Sequence, residues 1–178
     1  MTLLQKQQNL ILIGMPGAGK STIGVILAKL TSRGFIDTDL LIQTSTGRPL
    51  QDIVDRDGYA VLRKIEEEVL LELSVCNCVI ATGGSAVYSE TGMAHLKSNG
   101  IVLFLDADMT TLEARIHDYS TRGLAKRADQ SFAEMFSERF TLYTKYSDIT
   151  ITCAGLTHEE VCSRVMASVR RTDHAPSL

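Results

Sequence analysis

The stretch from Asn9 to Thr22, NLILIGMPGAGKST, leaves the chain little freedom in what it can become. Leu10 to Ile13 form a short apolar run of the kind that makes a buried strand, and a glycine-rich turn follows it at once. Lys20 then opens a segment in which Ile23, Ile26, Leu27 and Leu30 recur at helical spacing. Gly14-x-x-x-x-Gly19-Lys20-Ser21 is the phosphate-binding loop pattern, in the strand–turn–helix setting that the pattern requires. At ordinary residue frequencies the bare pattern arises by chance in roughly one chain in a hundred or two. The setting lowers that further.

The chemistry of such a loop accounts for its residues. Glycines let successive backbone N–H groups turn inward as an anion-binding nest, and the helix starting at Lys20 adds its positive end. Gly14, Gly17, Ala18, Gly19, Lys20, Ser21 and Thr22 are therefore the expected nucleotide contacts. Lys20 is expected to reach the β- and γ-phosphates of ATP, and the Ser21 hydroxyl to ligate Mg²⁺. A glycine-rich turn without a ligand has no need of lysine followed by two hydroxyls.

A chain of 178 residues is one domain by size. A net charge of −3 argues against a general nucleic-acid or membrane-surface binder, which would carry a basic excess. No apolar run approaches transmembrane length, and residues 1–8 lack the apolar core of a signal peptide, so a cytosolic protein is expected. Cys76, Cys78, Cys153 and Cys162 sit among apolar residues and read as buried reduced thiols. Neither they nor the histidines show zinc-ligand spacing.

Along the chain, strands are expected at Leu10–Ile13, Arg33–Asp39, Val79–Thr82, Ile101–Leu105 and Ile149–Thr152. Helices are expected at Lys20–Ser32, Leu40–Thr46, Leu50–Asp57, Tyr59–Val75, Ser89–Ser98, Thr110–Asp118, Phe132–Tyr146 and Thr157–Arg170, the last opened by the cap pattern Thr157-x-x-Glu160. Residues 119–130, polar and basic, read as a mobile excursion. Short apolar strands alternating with helices imply an α/β fold, a five-stranded parallel sheet flanked by helices on both faces. Ligands of such sheets gather at the carboxyl ends of the strands, here the loop after Ile13, Asp37 and Asp39, and Gly83-Gly84-Ser85.

Asp37 and Asp39 lie two apart in a segment read as extended, so both can face one side. One would complete the Mg²⁺ shell and the other accept a proton from an attacking hydroxyl. The competing reading is a helix N-cap pair. Among arginines, Arg63, Arg115, Arg122 and Arg139 are candidates for contacts to phosphate or to a substrate carboxylate. Spacing alone does not choose among them, and Arg63 with Glu66 also fits a surface ion pair at i,i+3.

Taken in order, these motifs resemble the shikimate kinase family over about residues 10–165: the GMPGAGKST loop, Asp37-Thr38-Asp39, Arg63-x-x-Glu66, a double glycine after a strand, a basic segment, Arg139-x-x-x-Tyr143, and the helix start from Gly155 to Glu160. The resemblance implies a P-loop fold like that of nucleoside-monophosphate kinases, with a lid at about 119–130 and a substrate-binding subregion at about 38–66. It implies ATP-dependent phosphorylation of shikimate at a ring hydroxyl, by a monomer with no nucleic-acid or membrane partner. By matching position, Asp37 stands in the outer shell of Mg²⁺, and Asp39 holds the ring hydroxyls and is the candidate base. Arg63 and Arg139 clamp the substrate carboxylate, with Glu66 orienting Arg63. Gly83 and Gly84 offer backbone N–H groups to the substrate. Arg122 is the lid arginine on the γ-phosphate, and Arg115 stacks on adenine.

Three positions depart from the family pattern. Ser85 stands where a third glycine is usual, Arg122-Gly123-Leu124-Ala125 where Arg-Pro-Leu-Leu is usual, and Leu62 where phenylalanine is usual. Ser85 fits if its φ stays negative, at the cost of bulk beside the substrate. Two other readings compete: a kinase for a different sugar acid or polyol, and a catalytically weak nucleotide-dependent regulatory protein. A GTPase would be expected to carry Asn-Lys-x-Asp, which is absent.

Overall fold

A computed structural model describes residues 8–115, 124–127 and 129–172. Five strands form one sheet: β1 (Asn9–Ile13), β2 (Gly34–Asp37), β3 (Cys78–Ala81), β4 (Gly100–Asp106) and β5 (Ile149–Thr152). Their order is β2-β3-β1-β4-β5, and every pairing is parallel. All carboxyl ends therefore lie along one edge, where ligands of such sheets collect. The expected α/β fold is the observed one.

The centre of the sheet is apolar because both its faces are covered. All five residues of β1 are buried, and in β4 Val102 to Leu105 are. Each fully buried aliphatic side chain here contributes about 1.5–3 kcal/mol. Helix α1 (Lys20–Thr31) buries Ile23, Leu27 and Ala28, and packs so close to β2 that a Cβ on Gly24 would stand 2.5 Å from the Phe35 ring. The remaining helices are α2 (Thr38–Thr46), α3 (Leu50–Asp57), α4 (Tyr59–Glu72), α5 (Glu90–Ser98), α6 (Met109–Arg115), α7 (Phe132–Tyr146) and α8 (His158–Thr172).

A second, smaller core joins α2, α3 and α4 through Ile42, Ile53 and Leu62, and Ala125 from the segment before α7 closes it. Outside this cluster Arg48 forks between Asp52 and Asp57, at 2.6 Å to each, and ties the α2–α3 turn to the end of α3. These side chains are partly exposed and screened by water, so the cluster holds mainly by apolar contact.

Most expected boundaries hold to within a few residues. The Thr157–Glu160 cap is present, with Glu160 N–H donating to the Thr157 hydroxyl at 3.2 Å. A matching box at Ser131 and Glu134 opens α7 and was not read from the sequence. The larger correction concerns Asp37 and Asp39. They do not share an extended segment, because α2 begins at Thr38. The Asp37 Oδ1 accepts the N–H groups of Asp39 and Leu40 at 3.0 and 3.4 Å, so Asp37 caps the helix and Asp39 lies in its first turn. The thiols need correction too. Cys153 and Cys162 are buried, Cys78 is partly covered and Cys76 is exposed. Residues 1–7, 116–123, 128 and 173–178 lie outside the described residues, and with them half of the expected excursion and the end of the helix read to Asp118.

Candidate active site

The loop between β1 and α1 wraps the start of α1. Gly19 has φ 94°, and no side chain caps the helix, so its first N–H groups face the loop. Gly14, at φ 145°, passes so close to β4 that a Cβ would stand 2.7 Å from the Leu105 carbonyl oxygen. Lys20 is 8 % exposed and folds back over the loop, donating to the carbonyls of Gly14 and Met15 at 2.7 and 3.0 Å. Burial pulls its pKa down to about 8, against the opposing pull of Asp39. Those two carbonyl bonds are weak restraints beside a polyphosphate, which would offer the ammonium charged oxygens instead.

Before this loop opens a cavity of about 710 Å³. Gly17, Gly19, Lys20, Ser21 and Thr22 line one side; Asp39, Glu66, Gly84, Ser85 and Arg139 line the other. Asp39 is half-buried, and desolvation pushes its pKa up to about 6 although Lys20 opposes the shift. Such a carboxylate is ionised at neutral pH yet remains a usable proton acceptor.

Two arginines meet behind this wall. Arg139, 1 % exposed on α7, donates to the Ala125 carbonyl at 2.9 Å, and Arg63 on α4 donates to the same oxygen at 3.1 Å. The Arg63 guanidinium lies 3.5 Å from the centroid of the Tyr88 ring. Both buried Nε atoms lack a hydrogen-bond partner among the described residues. Arg139, buried, and Arg63, half-buried, share one carbonyl and keep donors to spare, a chemistry that suits a planar anion.

The family model for shikimate kinase matches residues 16–170. A shikimate kinase of Gloeobacter violaceus is 38 % identical over 96 % of this chain and 99 % of its own length. The chain belongs to the shikimate kinase family. Among solved structures, the shikimate kinase from Acinetobacter baumannii in complex with shikimate superposes with a TM-score of 0.88 at 28 % identity, covering 96 % of this chain and 97 % of that one. The shikimate kinase from Aquifex aeolicus gives 0.79 at 30 % identity, covering 94 % and 99 %.

Against the roles that the shikimate kinase resemblance implied, the structure changes two. Glu66 does not orient Arg63. It is 3 % exposed, so the surface ion pair is excluded as well, and its Oε2 accepts the Ser85 hydroxyl at 2.6 Å. Arg63 is instead held by Ala125 and the Tyr88 ring. The Gly83 N–H is already donated to the Thr38 hydroxyl at 3.0 Å, so Gly83 serves by clearance. A Cβ there would overlap Oε1 of Glu66 and stand 2.7 Å from Oδ1 of Asp39.

Gly84 is bounded as closely. Its carbonyl accepts the Tyr143 hydroxyl at 2.7 Å, and a Cβ on it would lie 2.9 Å from Arg139 Nη1 and 2.8 Å from Pro16 Cδ. Gly84→Ala is therefore expected to displace the Arg139 guanidinium and press on Pro16 of the loop, raising KM for an anionic acceptor about tenfold or more and KM for ATP as well. Steady-state kinetics varying each substrate in turn checks this.

Of the other expected residues, Asp37 caps α2 outside the cavity lining but close enough to act electrostatically on Lys20 and Asp39. Arg115 ends α6, with its side chain outside what is described, and Arg122 lies outside the described residues altogether. Sequence reasoning missed His158, at the start of α8, which lines the cavity beside Gly19. The rule that pointed to the loops after β1, β2 and β3 would have found it had it been applied to β5. Tyr88 carried no such signal, and Tyr143 was marked only by its place in the Arg139-x-x-x-Tyr143 pattern.

Proposed function

We propose that this chain transfers the γ-phosphoryl group of ATP to a ring hydroxyl of shikimate, giving shikimate 3-phosphate. The observation that carries the acceptor is the Arg63–Arg139 pair, which shares the Ala125 carbonyl and has spare donors. It fits a ring that presents a carboxylate at one end and a hydroxyl at the other. Asp39 orients that hydroxyl and takes its proton, while Lys20 and the N–H groups of the loop hold the phosphates. Gly14, Gly17, Ala18, Thr22, Arg115 and the lid arginine Arg122 complete the nucleotide side, and Gly83 and Gly84 the acceptor side. The subregion of about 38–66 has its own small core and forms the acceptor wall; residues 119–130 form the lid.

Mg²⁺ fits the residues present. Among the described residues, no group of three or more His, Cys, Asp and Glu side chains could hold a metal by itself. Mg²⁺ suits such a site because it keeps several waters and is held largely by substrate phosphates. Ser21 would supply a hydroxyl, and Asp37 would act through water by Oδ2, since both cap bonds fall on Oδ1. Bound there, the ion would neutralise charge on the β- and γ-phosphates.

No described helix is long and apolar enough to cross a membrane. On this reading the enzyme is a cytoplasmic monomer with a small-molecule substrate and without nucleic-acid or membrane partners. A coupled assay of ADP release with ATP and Mg²⁺ tests the reading. Release that depends on shikimate supports it; release from another sugar acid or polyol but not from shikimate replaces the acceptor.

Three shifted groups line the cavity. Glu66, pushed up to about 7 by burial, titrates between the other two, which set the outer limits of the pH range. Activity needs Asp39 ionised, so kcat/KM falls as pH drops below about 6. It also needs Lys20 charged, so kcat/KM for ATP falls as pH rises above about 8. A pH–rate profile with limbs at those positions is the expected result.

A further inference from the structure

Glu66 is a nearly inaccessible acid that the proposed chemistry does not use. Arg63 stands one helical turn before it on α4, the spacing at which an ion pair forms readily. The carboxyl group nevertheless turns to the other side. Oε2 accepts the hydroxyl of Ser85, itself only 8 % exposed, and Oε1 lies over Gly83 beside Oδ1 of Asp39. Ser85 reaches this position without strain, at φ −95° and ψ −5°. Glu66 and Ser85 both line the cavity next to Asp39 and Arg139.

The charged groups around Glu66 are Lys20 of α1, Asp39 of α2, and Arg139 of α7, with the Tyr143 hydroxyl of α7 also near. Burial disfavours the ionised carboxylate most, and the Ser85 hydrogen bond is the first influence acting the other way. A glycine at position 85 would supply no hydroxyl. The carboxyl group would then lose its donor on the cavity side and would have Arg63 as the nearest alternative on its own helix.

We propose that Ser85 is a positioning residue that acts through Glu66: by donating its hydroxyl it holds the Glu66 carboxyl group on the cavity wall beside Asp39, where Glu66 recognises a second hydroxyl of the acceptor. Asp39 and Glu66 together then suit two neighbouring ring hydroxyls. Arg63 and Arg139, with neither of which Glu66 forms a hydrogen bond among the described residues, are left for the acceptor carboxylate. Ser85 thus sets how strictly the enzyme demands a diol. This inference rests on the shikimate kinase reading of the site.

The test compares shikimate with a monodeoxy analogue that keeps the phosphorylated hydroxyl and lacks its neighbour. In the unaltered protein, the ratio of kcat/KM for shikimate over the analogue measures recognition of the second hydroxyl. Ser85→Ala is expected to lower that ratio about tenfold, mostly through KM for shikimate, because the Glu66 carboxyl group loses the hydrogen bond that holds it in place. Glu66→Gln is expected to lower the ratio similarly, and Ser85→Ala in the Glu66→Gln background to lower it no further. Ser85→Thr, which keeps the hydroxyl, is expected to restore most of it. An unchanged ratio in Ser85→Ala, or equal losses from Ser85→Ala with and without Glu66, overturns the inference. Absence of shikimate-dependent ADP release from the unaltered protein would instead overturn the function on which it rests.

Discussion

Asp39→Asn is expected to lower kcat by about 10²–10⁴-fold while leaving ATP affinity nearly unchanged. The asparagine keeps the size and the hydrogen-bonding reach of the side chain but cannot take a proton. Its position in the first turn of α2 is secured by the Asp37 cap, which accepts the backbone N–H of residue 39 and not its side chain, so the local fold survives. Single-turnover kinetics with saturating ATP isolates the chemical step, and a nucleotide-binding titration shows that the other half of the site is intact.

The same substitution should stabilise the protein at neutral pH. The Asp39 carboxyl is raised in the folded state to about 6, above its ordinary value, because burial opposes its charge. A carboxyl raised on folding binds more protons in the native state, so stability falls as pH rises through the interval between the two values. At pH 7 the penalty is fully present, and a neutral amide removes it. Melting curves should show a Tm higher by about 3–6 °C at pH 7, with the gain gone below about pH 4. Loss of activity accompanied by loss of stability at pH 7 would contradict the assignment of Asp39 as a strained functional carboxylate.

Arg139→Leu is expected to reduce kcat/KM for shikimate by about 10²–10³-fold, corresponding to the few kcal/mol that follow from removing one partner of a buried charged contact. Burial of the guanidinium is the reason for the size of the effect. Water does not screen it, and its fixed neighbours, the Ala125 carbonyl and the Tyr143 hydroxyl, hold it for a planar carboxylate. Arg139→Lys should recover little, since an ammonium cannot donate to Ala125 and to both oxygens of a carboxylate in one plane. A neutral polyol acceptor, if any is phosphorylated, should lose far less. Equal losses for anionic and neutral acceptors would show that Arg139 is structural and would leave the acceptor carboxylate without its receptor.

Asp39 and Arg139 were legible in the sequence in different degrees. A carboxylate beside a phosphate-binding loop has a chemical reason to be there, whereas a lone arginine on a helix has none until it is seen buried. Arg139 is the largest of the fully buried side chains, and nothing in the spacing of α7 announces that. Its selection from four arginines rested on the shikimate kinase resemblance, and its geometry came from the packing of α7 against the Ser85–Tyr88 turn and the segment around Ala125. Glu66 shows the opposite case. Spacing and resemblance both paired it with Arg63, and both missed that Ser85, on the same cavity wall, donates to it.

By itself the sequence determined the strand–loop–helix unit at Asn9–Thr31, the alternation of strands and helices, and hence the parallel sheet with its ligand edge. Those features rest on local causes: apolar runs, helical periodicity, and glycines where the backbone must turn toward an anion. For Asp37 the sequence left two local readings open, and the start of α2 at Thr38 chose the cap. What Glu66, Gly83 and Ser85 do was decided only by the tertiary structure. Each is defined by a partner from another element, or by the point at which a neighbouring helix begins. Hydrogen-bond directions and desolvation depend on distances between segments far apart in the chain, and no pattern within one segment encodes them.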